Sequence, residues 1–196
     1  RKTPLNVFGP KGTDNFVNST VQSYKEDIKV RSSYPENLDK KNIQSNITII
    51  DNGFKHKKNG LTIEVFSVKH EPFTHAFGFK IYNSKYCMII SGDTTYSDKL
   101  IEKAKNCDLL VHEIAHAPDH VLKKHPNTKG VISYHTNVNQ ISDIINKVKP
   151  RLTILNHVLS LGGSTDDEIL NEIKKDTSQK VLIAKDLMTI DLKDEI

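Results

Sequence analysis

The spacing of apolar positions changes several times along the 196-residue chain, and each change marks an element. Tyr86 to Ile90 form a short apolar run that ends in Ser91-Gly92-Asp93-Thr94. An amphipathic stretch follows, and a second apolar run, Leu109-Leu110-Val111, ends at His112-Glu113. Two buried strands joined by a helix predict a parallel crossover unit, which collects polar residues at the carboxyl ends of its strands. Upstream, Ile47–Ile50 and Leu61–Val68 alternate partially around the turn signals Asn52-Gly53 and Asn59-Gly60, which predicts a strand-turn-strand meander. A further strand is predicted over Phe77–Tyr82, joined to the next by Asn83-Ser84-Lys85.

At the beginning of the chain, Pro4–Thr13 combines a short strand with a Gly-Pro-Lys-Gly turn, and Asp14 or Asn15 is placed to cap a helix through Tyr24. The Gly-x-x-x-x-Gly-Lys-Ser/Thr spacing of a phosphate loop is absent, so that turn reads as rigid punctuation. The polar stretch Arg31–Asn42 is expected to be a surface loop. After His116 the chain is polar through Pro118, His120, His125 and Pro126, a loop of the length that often carries function. Val138, Ile141, Ile144, Ile145 and Val148 then recur at helical spacing, with Thr136 or Asn137 as cap and His135 just outside the N-terminus. Pro150 ends that helix. Arg151–Leu155 predicts a strand ending at Asn156-His157, Asp166–Lys175 a helix, and Val181–Ala184 and Met188–Leu192 closing strands.

Length and composition fit one cored domain over residues 1–196 without internal repeats. The net charge of +4 comes from lysines scattered among acidic residues, which favours solubility over a dedicated nucleic-acid groove and leaves room for a weak preference for anionic substrates. No apolar run approaches the roughly 20 residues of a transmembrane helix, and nothing near Arg1 resembles a signal peptide. No membrane partner is expected, and a cytoplasmic location is favoured over a periplasmic one. Cys87 and Cys107 each lie beside an apolar strand, outside any Cys-x-x-Cys pair, and read as reduced core residues.

His70, Asp93, His112 and His157 all stand at or near the last apolar residue of a predicted strand. These residue types ligate zinc, manganese or iron, and a carboxylate can bridge two ions. Taken singly, each has an ordinary structural reading: Asp93 in an Asx-turn after Gly92, His70 and His157 as surface or core histidines, and His112 as a buried, hydrogen-bonded ring. A rival arrangement is His112-Glu113-Ile114-Ala115-His116, which matches the His-Glu-x-x-His motif of zinc proteases. That motif requires a helix, whereas here it follows a strand-like run and precedes Pro118. A metal-free binding module is the non-enzymatic alternative.

Several of these strings occur together and in order: PLNVFGPKGT near the start, His70 before Ala76-Phe77-Gly78-Phe79, Ser91–Thr94, Asp108–Glu113, Tyr134-His135-Thr136 and Asn156-His157. In this the chain resembles the metallo-β-lactamase superfamily, in its ribonuclease Z and arylsulfatase-like phosphodiesterase branch. The resemblance implies an α/β fold of the αβ/βα four-layer sandwich type and a hydrolase that cleaves phosphodiesters with a dinuclear, metal-activated hydroxide. It further implies two divalent metal ions, zinc ahead of manganese or iron, with His70 ligating one, Asp93 bridging both and His157 ligating the other. Glu113 and His135 match the pair implicated in proton relay and leaving-group stabilisation, and His75 is substrate-side or incidental. The superfamily's His-x-His-x-Asp-His string is missing from the sequence, so the sandwich is expected to be incomplete at its amino terminus and this stretch alone inactive. A small phosphodiester or RNA is the expected substrate, and a homodimer the expected assembly.

Overall fold

The computed structural model describes residues 3–193, which divide into two compact units, one up to Asp51 and the other from Asn52. In the first, β1 (Leu5–Gly9) pairs in parallel with β2 (Ser45–Ile49), Leu5 opposite Ser45. A parallel pair needs a crossover, and α1 (Thr13–Ser23) and α2 (Lys25–Arg31) lie within it. The predicted meander is therefore corrected: the run ending at Ile50 joins β1, not the Leu61–Val68 run. Helix α1 starts from Gly12, whose φ of +98° belongs to the left-handed region, instead of from an Asp14 or Asn15 cap.

In the second unit, seven strands lie side by side in chain order: β3 (Lys55–Lys58), β4 (Leu61–Ser67), β5 (Phe77–Tyr82), β6 (Cys87–Ile90), β7 (Leu109–His116), β8 (Leu152–Ser160) and β9 (Val181–Ile183). Strands β3 to β6 are antiparallel neighbours, and β6 to β9 are parallel. The hairpin partner of β4 is β3, Lys55-His56-Lys57-Lys58. This edge strand has no apolar alternation to reveal it, and its lysines discourage further pairing.

Between the parallel strands run α3 (Asp98–Ala104), then α4 (Asp119–Lys124), α5 (Thr128–Ile132) and α6 (Val138–Val148), and last α7 (Asp166–Asp176). The main core joins Ile89, Leu110, Ile114 and Leu155 of the sheet to Leu100 of α3, Ile141, Ile144 and Ile145 of α6, and Ile169 and Ile173 of α7. Alternation along β7 and β8 sends Leu109, Leu152 and Ile154 into a smaller cluster instead. Helix α6 carries a reciprocal capping box between Asn137 and Gln140, so Asn137 is the cap. Met188–Leu192 is not a strand; Ile190 and Leu192 pack irregularly against the smaller cluster.

Cys87 and Cys107, expected to be reduced, are joined as a disulfide. The crossover returns the chain beside its starting point, where the Asp108 amide donates to the Cys87 carbonyl at 2.8 Å and the Cys87 amide to Asp108 Oδ2 at 2.9 Å. That juxtaposition is tertiary, and the spacing of two lone cysteines does not show it. His112–His116 lies within strand β7, which removes the helix that a His-Glu-x-x-His zinc site requires and with it the protease alternative.

Candidate active site

The turn after β6, the middle of β7, which runs past the expected end at His112-Glu113 to His116, the bulge within β8 and the turn before α6 bring the candidate residues together. Beyond β6 the chain turns sharply at Gly92, whose φ is +61°. A Cβ at this position would lie 2.4 Å from the Phe77 carbonyl oxygen. Only glycine suits both the conformation and the close approach, and the turn delivers Asp93 to the strand ends. The Ser91 hydroxyl fastens the turn to β7 by accepting the Glu113 amide at 3.1 Å.

Glu113 is the buried hub. Its Oε1 accepts the Thr136 amide at 2.7 Å and the Thr94 amide at 3.3 Å, and its Oε2 lies 3.1 Å from Nδ1 of His135. The Thr136 hydroxyl donates to the Thr94 carbonyl at 2.7 Å, closing the loop between the Asp93 turn and the His135 turn. Burial raises the Glu113 carboxyl from 4.5 to about 8, outweighing the lowering effect of the Thr136 and Thr94 amides. Burial also lowers His135, with His70 adding to the effect. Thr94 was legible only as a neighbour of Asp93 and Thr136 as a cap candidate beside His135, and their role in holding Glu113 emerges from the fold.

His70 follows β4. Its Nδ1 lies 2.8 Å from the Tyr134 carbonyl, and since a carbonyl only accepts, Nδ1 carries the proton and Nε2 keeps a free lone pair. Phe73 stacks on the His70 ring with centroids 5.4 Å apart, and Tyr134 meets it edge-on at 5.3 Å. The same ring lies 4.9 Å from that of His135, which is 5.8 Å from His157. His157 Nε2 in turn lies 3.5 Å from Asp93 Oδ2. All five predicted site residues thus share one neighbourhood: Glu113 and His135 are buried, while Asp93 and His157 are 42% and 46% exposed and so face solvent.

The position of His157 depends on a bulge. Opposite β7, Glu113 faces Asn156 and Ile114 faces Val158, which leaves His157 as an extra residue in β8 with φ +44°. The predicted strand end is therefore an interruption, and pairing resumes through Ser160. Bulges of this kind re-aim one side chain while the ladder continues on either side.

The sequence of this fold matches a family model, the beta-lactamase superfamily domain, over residues 11–158, three quarters of the chain. The chain belongs to the beta-lactamase superfamily. Within this superfamily it is 23% identical over 192 residues to a putative ribonuclease Z of Mycobacterium tuberculosis, covering 96% of this chain and 84% of that one. Two solved structures share the fold at 18% identity each. The metallo-beta-lactamase fold protein YhfI from Bacillus subtilis aligns with a TM-score of 0.65 over 94% of this chain and 64% of its own. The short form of human tRNase Z aligns with a TM-score of 0.61 over 97% and 68%. This chain thus spans just under two thirds of YhfI.

His70, Asp93 and His157 are of residue types that can bind a divalent cation. The proton of His70 is committed to a backbone carbonyl, as in ligating histidines, and Asp93 and His157 approach each other in the open. Among the described residues, however, no three His, Cys, Asp or Glu side chains converge closely enough to hold an ion. A zinc site takes about four donors.

Proposed function

We propose that this chain carries the Asp93, His70 and His157 side of a divalent-metal site in a ribonuclease Z-like phosphodiesterase, with zinc as the metal and RNA as the substrate. The observation that carries the reading is the continuous chain of contacts from Asp93 through His157, His135 and His70, backed by the buried Glu113. A bound cation would supply an acidified water and polarise a phosphoryl oxygen. The residues of this chain then have separable tasks. Glu113 holds His135 and sets the proton on its ring, so that Nε2 faces the open side as a proton carrier for the departing oxygen. Tyr134 fixes the tautomer of His70 through its carbonyl.

Beside His135 opens a cavity of about 270 Å³, lined by the apolar Leu122 and Ile132 as well as by Thr95, Ser133 and Lys129, the last offering one positive charge to a phosphate backbone. The test is the metal content of the full-length protein together with hydrolysis of bis(p-nitrophenyl) phosphate and of a structured RNA. Bound transition metal and cleavage of the diester are expected, with RNA cleavage marking the substrate. A protein that holds no metal and cleaves neither compound refutes the reading.

A further inference from the structure

His112 is fully buried on β7, and its imidazole is used on one side only. Nδ1 lies 2.7 Å from the carbonyl oxygen of Glu113, whereas Nε2 is buried without a hydrogen-bond partner. An imidazole in an apolar core at this cost needs a reason, because leucine would fill the space without stranding a polar atom.

The reason lies in what that carbonyl belongs to. Glu113 is the last β7 residue before the register shifts, and the residue displaced by the shift is His157. One peptide therefore adjoins the carboxylate that holds His135 and the bulge that aims His157. A bulge leaves its extra residue unpaired and disrupts the ladder locally, so the β7 peptide opposite His157 has fewer ladder constraints. A side chain that grips the Glu113 carbonyl restores one of them. The bond requires a donor on Nδ1, so it also fixes the tautomer and leaves Nε2 as a bare, unpaired nitrogen.

We propose that His112 is a positioning residue: through its Nδ1–H it locks the Glu113 peptide at the bulge and so keeps Glu113, His135 and His157 in one register. It touches no substrate and ligates nothing. The proposal deepens the phosphodiesterase reading and rests on it for its kinetic consequence, while its structural content stands apart.

The two ring nitrogens can be tested separately. Asparagine places an amide donor near the Nδ1 position and lacks Nε2, whereas glutamine reaches the Nε2 position and loses the short-range donor. In the full-length protein, His112→Gln is expected to lower kcat on bis(p-nitrophenyl) phosphate by about 10- to 100-fold with little change in KM, as for residues that orient a site from behind. His112→Asn recovers most of that loss. Independently of activity, nitrogen NMR of the wild-type ring should show a neutral imidazole protonated at Nδ1 with an unprotonated Nε2, and in His112→Gln the resonances of His135 and His157 should shift or broaden while those of the α6 core stay in place. Equal loss in both variants, or an Nε2-protonated ring in the wild type, overturns the proposal. If the wild type cleaves no diester, the phosphodiesterase reading fails while the NMR outcome still decides the role of His112.

Discussion

Nδ1 of His135 stands 3.1 Å from Oε2 of Glu113, and both side chains are almost completely enclosed. The other carboxylate oxygen is occupied by two backbone amides, so Oε2 has the ring as its partner. The proton state of the pair then dictates that of Nε2: with Glu113 ionised, Nδ1 donates and Nε2 is a base, and with Glu113 protonated, Nδ1 accepts and Nε2 bears the proton. Since burial raises Glu113 to about 8 and lowers His135, the two groups favour a shared neutral state near neutrality. His135→Ala is expected to reduce kcat by about 100-fold or more, the usual scale of positioned acid–base catalysis. Glu113→Gln should fall in the same direction, with circular dichroism spectra unchanged in both. Wild-type turnover in a folded His135→Ala protein would remove His135 from the chemistry.

Gly92 provides a backbone test of the same site. Its φ of +61° and the 2.4 Å approach of a notional Cβ to the Phe77 carbonyl both oppose a side chain. Gly92→Ala is expected to cost about 1 kcal/mol or more, since alanine is strained where φ is positive and the neighbouring strand must give way. It should also move Asp93 and weaken divalent-metal binding. Denaturant unfolding and metal titration check the two effects, and an alanine variant that matches the wild type in both would show that the turn tolerates a side chain.

Much of this architecture was legible because it rests on local patterns. The β6–α3–β7 crossover, the α6 helix with its apolar spacing and the position of Asp93 just past β6 follow from periodicity alone, whereas His112, read as a strand end, lies inside β7, which runs on to His116. The features that escaped it depend on tertiary partners. Lys55–Lys58 becomes a strand because β4 pairs with it, Cys87 meets Cys107 because the crossover returns there, and β8 continues past His157 because β7 extends alongside it. Local sequence also could not show that the amides of Thr94 and Thr136 converge on Glu113 from opposite turns.

Glu64 of β4 makes a stability prediction away from the site. Its carboxylate accepts Lys103 of α3 at 2.6 Å and Lys55 of β3 at 3.3 Å, and is itself only 8% exposed. The hydrogen bond from Lys103 leads in lowering its pKa below 4.5, ahead of the opposing effect of burial. A carboxyl with a lowered folded pKa stabilises the protein above its unfolded value, and the contribution is lost as pH falls through the folded value. Glu64→Gln should therefore destabilise the protein at pH 7 by about 1–3 kcal/mol, the scale of hydrogen bonds to charged groups. The gap between variant and wild type should narrow as the pH drops below 4.5. Urea unfolding at several pH values measures it, and a gap that widens on acidification contradicts the assignment.

His157 separates stability from function most directly. As the extra residue of the β8 bulge it adopts φ +44°, a region that costs most side chains energy and that asparagine enters more readily. Its ring is nearly half exposed, so it contributes little burial, and its Nε2 points at Asp93 from 3.5 Å. His157→Asn is accordingly expected to leave the thermal midpoint unchanged or higher while abolishing divalent-metal binding and diester cleavage. His157→Val, β-branched and poorly suited to positive φ, should lose both stability and binding. Calorimetric metal titration alongside thermal unfolding distinguishes the outcomes. If asparagine at the bulge binds metal as the wild type does, His157 is a turn residue and not a ligand.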